Sequence, residues 1–144
     1  MADHKAEIAN AETVGFGKVI FFSPGLPDMN LIVFRKKYGY QIICIDIYVD
    51  ATGESLQEAR KNFSLALNTH IKQTFEAHNG NEKAAIKDIV QVAYDKGDIK
   101  SLYFDKYRQA KHRGFIRADS MQLARLFDLG ILDHKLLASC LVTF

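Results

Sequence analysis

The stretch Leu31-Ile32-Val33-Phe34-Arg35-Lys36-Lys37-Tyr38-Gly39-Tyr40-Gln41-Ile42-Ile43-Cys44-Ile45-Asp46-Ile47-Tyr48-Val49 decides how this chain reads. Two runs rich in β-branched and aromatic residues meet at Tyr38-Gly39, the composition of a β-hairpin around a glycine-containing turn. Side chains alternate along a strand, so Ile43, Ile45, Ile47 and Val49 share one face, and Tyr40, Ile42, Cys44, Asp46 and Tyr48 share the other. The first face reads as core; the second is amphipathic and suits water or a partner. Asp50-Ala51-Thr52-Gly53-Glu54 then breaks the strand, and Ser55 with Glu58 three residues on forms a capping box. Leu56, Ala59, Phe63, Ala66, Leu67, Ile71 and Phe75 recur at helical spacing, which predicts a long helix over residues 55–78 whose apolar stripe packs on a sheet.

Upstream, Lys18-Val19-Ile20-Phe21-Phe22 reads as another strand, and Ser23-Pro24-Gly25-Leu26-Pro27-Asp28 supplies turn chemistry. Val14-Gly15-Phe16-Gly17 lets an edge strand start; it lacks the further glycines and the Lys-Ser/Thr pair of a phosphate loop. Residues 18–78 therefore read as a meander of three antiparallel strands followed by the helix. Asn79-Gly80-Asn81 ends that helix. Residues 82–94 predict a second one, with Ala85, Ile86, Ile89, Val90 and Ala93 on one side. After the turn Asp95-Lys96-Gly97-Asp98, residues 99–110 fit a helix, although Ser101-Leu102-Tyr103-Phe104 equally fits a short strand. Asp119 or Ser120 caps a helix through Leu129, stopped by Gly130, and Leu141-Val142-Thr143-Phe144 reads as a strand or a buried tail. The expected class is α+β: a small antiparallel sheet of about three strands packed by a long helix, with a helical C-terminal half. Residues 1–13 are an N-terminal tail or short helix, 14–80 the strand-hairpin-helix core, and 81–144 a helical region on the same core.

At 144 residues and 48% hydrophobic, the chain suffices for one domain with a real core. A net charge of +2 makes no whole-molecule case for a nucleic-acid or membrane partner. Cys44 and Cys140 sit in no CxxC and read as reduced core residues. Residues 1–12 are polar and mixed in charge, and no apolar run approaches the roughly 20 residues of a membrane helix, so the expectation is a cytoplasmic protein.

The five histidines are scattered, and His70, on the border of the long helix's stripe, reads as half-buried and structural. Asp46 is the carboxylate of most interest. A metal-dependent nuclease centred on it is one reading, but its only candidate companions are Asp50 and Glu54, which favours a solvated strand face. Ser64, Ser139 and the cysteines lack a base and an orienting group. The sequence thus predicts no catalytic activity, no metal and no cofactor.

One charge asymmetry remains. Residues 106–118 carry Lys106, Arg108, Lys111, Arg113 and Arg117 with no acidic residue, and Tyr103, Tyr107 and Phe115 interleave with them. This pattern suits docking of an acidic protein and also nucleic-acid backbone contact with base stacking. A solvated helix end, where the dipole favours cations, is the plain alternative. The candidate partner-binding residues are Lys106, Tyr107, Arg108, Lys111, Arg113 and Arg117.

The order of strand, Tyr38-Gly39 turn and returning strand, then Gly53-Glu54-Ser55-Leu56-Gln57-Glu58-Ala59 followed by Asn62 and Ala66-Leu67, resembles HicB-like antitoxins over residues 31–75. That family has a degraded RNase-H-like fold; the stretch 46–50 departs from it in lacking the prolines that usually precede the helix. The resemblance implies a non-catalytic, antitoxin- or inhibitor-like module that neutralises or regulates a partner protein and forms a homo-oligomer. A nucleic-acid-binding regulator using residues 106–117 is the second expectation. Such antitoxins often end in a DNA-binding helix-turn-helix or ribbon-helix-helix. Residues 121–141 imitate the helix-turn-helix, but with Lys135 and His134 as the only cationic candidates of the second helix, core or dimer packing is the preferred reading.

Overall fold

A computed structural model describes residues 2–21, 26–113 and 140–143 of the chain. The expected helix up to Leu129, its stop at Gly130 and Arg117 lie outside the described residues. The elements are α1 (Ala2–Asn10), β1 (Glu12–Phe21), β2 (Met29–Lys36), β3 (Gly39–Cys44), β4 (Val49–Gly53), α2 (Leu56–Ala77), α3 (Glu82–Tyr94), α4 (Asp98–Arg113) and β5 (Cys140–Thr143). The class is α+β as expected, but the antiparallel sheet has five strands rather than three, in the order β4-β3-β2-β1-β5.

The two strands beyond three are β4, in a segment expected to break the strand, and β5, in the segment that reads as a strand or a buried tail. The returning strand of the hairpin stops at Cys44 instead of running to Val49. Residues 45–48 make a turn in which Tyr48 takes a left-handed φ of 58°. Asp50 to Gly53, expected to break the strand, is β4, registered as Cys44↔Val49, Ile42↔Ala51 and Tyr40↔Gly53. A short edge strand tolerates residues of low β-propensity, because its exposed side needs charge and polarity. The C-terminal Leu141 to Thr143 segment is β5, paired with Lys18 to Ile20 of β1. β1 itself starts at Glu12, ahead of the expected position, with a register shift between Thr13 and Gly15. Residues 99–110 belong to a helix, which resolves the helix-or-strand alternative for 101–104.

Both faces of the sheet are core, which corrects the expectation of one amphipathic face. On one side Leu31, Val33, Ile42, Cys44 and Val49 pack under Phe63, Leu67 and Ile71 of α2, with Ala85 and Ile89 of α3 in the same cluster. On the other side Phe16, Ile32, Phe34, Ile43 and Ile45 meet Ile8 of α1 and Tyr103, Tyr107 and Ala110 of α4. Because the turn at 45–48 interrupts the alternation, Ile47 and Val49 join the α2 side, opposite Ile43 and Ile45. Burial on both faces is why the central strands read as nearly continuous apolar runs.

The corner between β4 and α2 explains the motif around residue 53. A Cβ at Gly53 would collide with the backbone nitrogen of Ala59, so only glycine lets the first turn of α2 settle on the strand. Ser55 Oγ accepts the Glu58 N–H at 3.1 Å, and the Glu58 carboxylate accepts the Glu54 N–H at 3.3 Å. This is the expected capping box, reaching back one residue further than its usual form. Asn62 Nδ2 donates to the Thr52 carbonyl at 2.8 Å, occupying an acceptor on the edge strand. Among the described residues no helix is long and apolar enough to cross a membrane.

Gly53→Ala should therefore destabilise the fold by about 1–3 kcal/mol through overpacking, whereas Gly97→Ala, with nothing within 4 Å of the new methyl, should stay within about 0.5 kcal/mol of wild type. Urea midpoints of the two variants check this; equal midpoints would show that the corner relaxes freely.

Candidate functional site

The helix α4 divides the basic stretch. Its buried line, Lys100, Tyr103, Tyr107 and Ala110, faces inward. Tyr107 stands edge-on to Phe16 with ring centroids 5.7 Å apart, and Tyr103 lies against Phe34 at 6.1 Å. Tyr107 is thus a core residue at 7% exposure, not a partner-facing ring. Lys106 leans over one flank of the helix and donates to the Ala11 carbonyl at 3.2 Å, joining α4 to the end of α1. Arg108 and Lys111, three residues apart, are exposed, and helical spacing sets both on the opposite flank, the one that carries Phe104. Arg108 forms an ion pair with Asp105 one turn before it. Arg113 ends α4, its side chain outside the description, as is all of Arg117. The tertiary structure therefore brings together Arg108 and Lys111 and separates Lys106 and Tyr107 from them.

Beside this flank is a cavity of about 310 Å³ at the corner between α3 and α4. Ala93, Tyr94 and Phe104 form its apolar walls, Lys96 and Arg108 stand among its lining, and Lys100 borders it from the buried side. Tyr94 is 68% exposed. None of these lining residues except Arg108 belongs to the set expected from sequence. The visible signal is the pair Tyr94 and Phe104 flanking the turn Asp95-Lys96-Gly97-Asp98, but only the folded chain shows that both line one cavity.

Lys100 holds the corner together. It is 3% exposed, and its ammonium donates to the carbonyls of Asp46 at 2.8 Å, Val92 at 2.9 Å and Ala93 at 3.4 Å. Three donors thus meet three acceptors, two of them at the C-terminal end of α3 where cations are favoured. The ring of Tyr48 lies 5.1 Å from the ammonium, held there by the left-handed backbone noted above. A lysine in the first turn of a helix opposes that helix's dipole, and this was the sequence signal that it serves another element.

Asp46, expected on a strand face, is instead in the 45–48 turn and 9% exposed. Its Oδ2 accepts the Asn30 backbone N–H at 2.5 Å and the Asn30 amide at 3.4 Å. The carboxylate ties the β3–β4 turn to the start of β2, a structural use that accounts for its burial. Among the described residues no three His, Cys, Asp or Glu side chains converge on a metal-sized site. Cys44 is a free, buried thiol, pushed up to about 12 by burial and by the Asp46 carboxylate. His70 is half-buried, and that burial pushes its titration down. No protein-family model, curated protein or solved structure matches the chain.

Burial raises the Asp46 carboxyl above its ordinary 3.8, against the Asn30 hydrogen bonds and the Lys100 charge that favour ionisation. A carboxyl raised in this way favours folding below its unfolded value, and the contribution is lost as pH rises through the folded value. Stability should carry a component that falls as pH climbs above the ordinary carboxylate range, and Asp46→Asn, which keeps a carbonyl oxygen for Asn30 and buries no charge, should lack it. Urea midpoints measured for both proteins over that climb check the sign; parallel curves would contradict it.

Proposed function

We propose that this chain is a non-catalytic protein-binding module, antitoxin- or inhibitor-like, that neutralises or regulates a partner protein through the exposed flank of α4. The observation that carries the reading is the arrangement of Arg108 and Lys111 beside an open, aromatic-walled cavity. Arginine and large aromatics are the residue types that dominate binding energy at protein interfaces. The resemblance of residues 31–75 to HicB-like antitoxins supports the same class of partner. The alternative, a nucleic-acid-binding regulator, is less well supported: Tyr103 and Tyr107, two of its three stacking rings, are turned into the core.

Simultaneous Ala substitution of Arg108, Lys111 and Arg113 tests the reading. With the tagged chain as bait in nuclease-treated and untreated lysates of its native cell, one stoichiometric protein should survive nuclease. The triple variant should retain about tenfold less of it, with a melting temperature within a few degrees of wild type because exposed substitutions cost about 0.5 kcal/mol or less. Undiminished retention would remove α4 from the interface, and loss of all partners on nuclease treatment would favour the nucleic-acid alternative.

A further inference from the structure

The cavity at the α3–α4 corner has the size, walls and rim of a pocket for one side chain. Its volume of about 310 Å³ is at the lower end of the roughly 300–1,000 Å³ of ligand sites, which is ample for one aromatic ring. The walls are the exposed ring of Tyr94, the partly buried ring of Phe104 and the methyl of Ala93. Lys100, at its inner border, has all three donors committed to backbone carbonyls. It therefore lends positive potential without a hydrogen bond to offer, so the pocket's interior calls for an apolar group and its rim for an anionic one.

The rim supplies the second half of the recognition. Asp98 is occupied by Lys5 at 3.2 Å, and Asp105 by Arg108. The Arg108 pair is exposed on both sides and three residues apart, an arrangement that solvent screens and that holds the side chain only weakly. Arg108 can therefore exchange Asp105 for a partner's carboxylate at little cost. Lys96 and Lys111 are exposed to either side of it, and from Lys106 to Ala118 the chain has no acid. Asp95, Asp98 and Asp105 interrupt this field at its pocket end. A polyphosphate chain would meet each of them as a like charge, whereas a peptide can space its carboxylates around them.

We infer that the α3–α4 corner is an anchor pocket for one aromatic side chain of an acidic peptide segment, whose ring enters between Tyr94 and Phe104 while its flanking carboxylates are taken by Arg108 and Lys111. This rests on the protein-binding reading above and adds to it the chemistry of the partner. Tyr94, with most of its ring already in solvent, is the natural position to test, since its removal takes away a wall without opening the core.

The experiment uses the full chain and three fluorescent probes read by anisotropy: a short peptide with one phenylalanine among glutamates, the same peptide with alanine for the phenylalanine, and a single-stranded oligonucleotide. The phenylalanine peptide should bind about tenfold tighter than its alanine version. Tyr94→Ala should abolish that difference at an unchanged melting temperature, and Arg108→Glu should weaken both peptides. If both peptides bind equally, with Tyr94→Ala silent but the Arg108, Lys111 and Arg113 triple variant weakened, the pocket is overturned and the basic-flank reading stands. If the oligonucleotide is preferred and its affinity falls steeply with salt, or if no probe binds, the acidic-peptide assignment is overturned. The pull-down with the triple variant separately reports whether a protein partner uses this flank.

Discussion

Burial of the central strands on both faces is the constraint from which the rest of the structure follows. β2 and β3 present Leu31, Val33, Ile42 and Cys44 to one side and Ile32, Phe34 and Ile43 to the other, where Ile45 of the following turn joins them, all nearly free of solvent. A sheet that is apolar on both faces needs a helical layer on each, since either face left open would expose a continuous hydrophobic patch. The long helix α2 with α3 supplies one layer, and α1 with α4 the other. Recruitment of α4 as a cover sorts its residues. Tyr103, Tyr107 and Ala110 become core, and the charged residues between them are left on the flanks. The basic stretch, continuous in sequence, is for this reason split in space.

The corner opposite the hairpin tip is organised by an ammonium group. Burying Lys100 is costly unless its donors are satisfied, and here one carbonyl from the β3–β4 turn and two from the end of α3 satisfy them. The bond to Asp46 O fixes α4 to the sheet, and the bonds to Val92 and Ala93 fix it to α3. The end of α3 and the start of α4, which flank the cavity, are thus tied to each other by this side chain. Tyr48, in a backbone region that bulky residues rarely occupy, covers the same ammonium from the solvent side. Strained geometry beside an open cavity is a pattern associated with functional sites.

The residues that carry the resemblance to HicB-like antitoxins have a structural account of their own. Gly39 sits at a positive φ in the hairpin turn, facing Gly53 across the sheet edge. Gly53 admits the first turn of α2, Ser55 and Glu58 cap it, and Asn62 bonds back to β4. Each residue is required by the close meeting of an edge strand with a helix, a demand that any hairpin-to-helix corner of this tightness would make.

Sequence by itself determined the α+β class, the first hairpin, the capping box at Ser55, and the inward stripes of α2 and α3. Each of these rests on local physics: period-2 or period-3.6 burial, or side chains bonding to backbone three residues away. By charge and an interleaved ring it singled out Lys106, Tyr107, Arg108, Lys111, Arg113 and Arg117 as one set, without showing that Tyr107 is buried and Lys106 bonded to the Ala11 carbonyl. It did not reveal β4, because Asp50 and Gly53 look like strand breakers until a partner strand holds them, nor the second buried face, because an apolar run does not state how many layers cover it. The pocket was hidden for a related reason. Tyr94 and Phe104 are brought together by the turn after α3, and Lys100 is placed by carbonyls of three residues, one of them 54 positions away in the chain. Only the tertiary structure decides which cations meet solvent and which are consumed inside, since burial belongs to the assembled layers and not to any one segment.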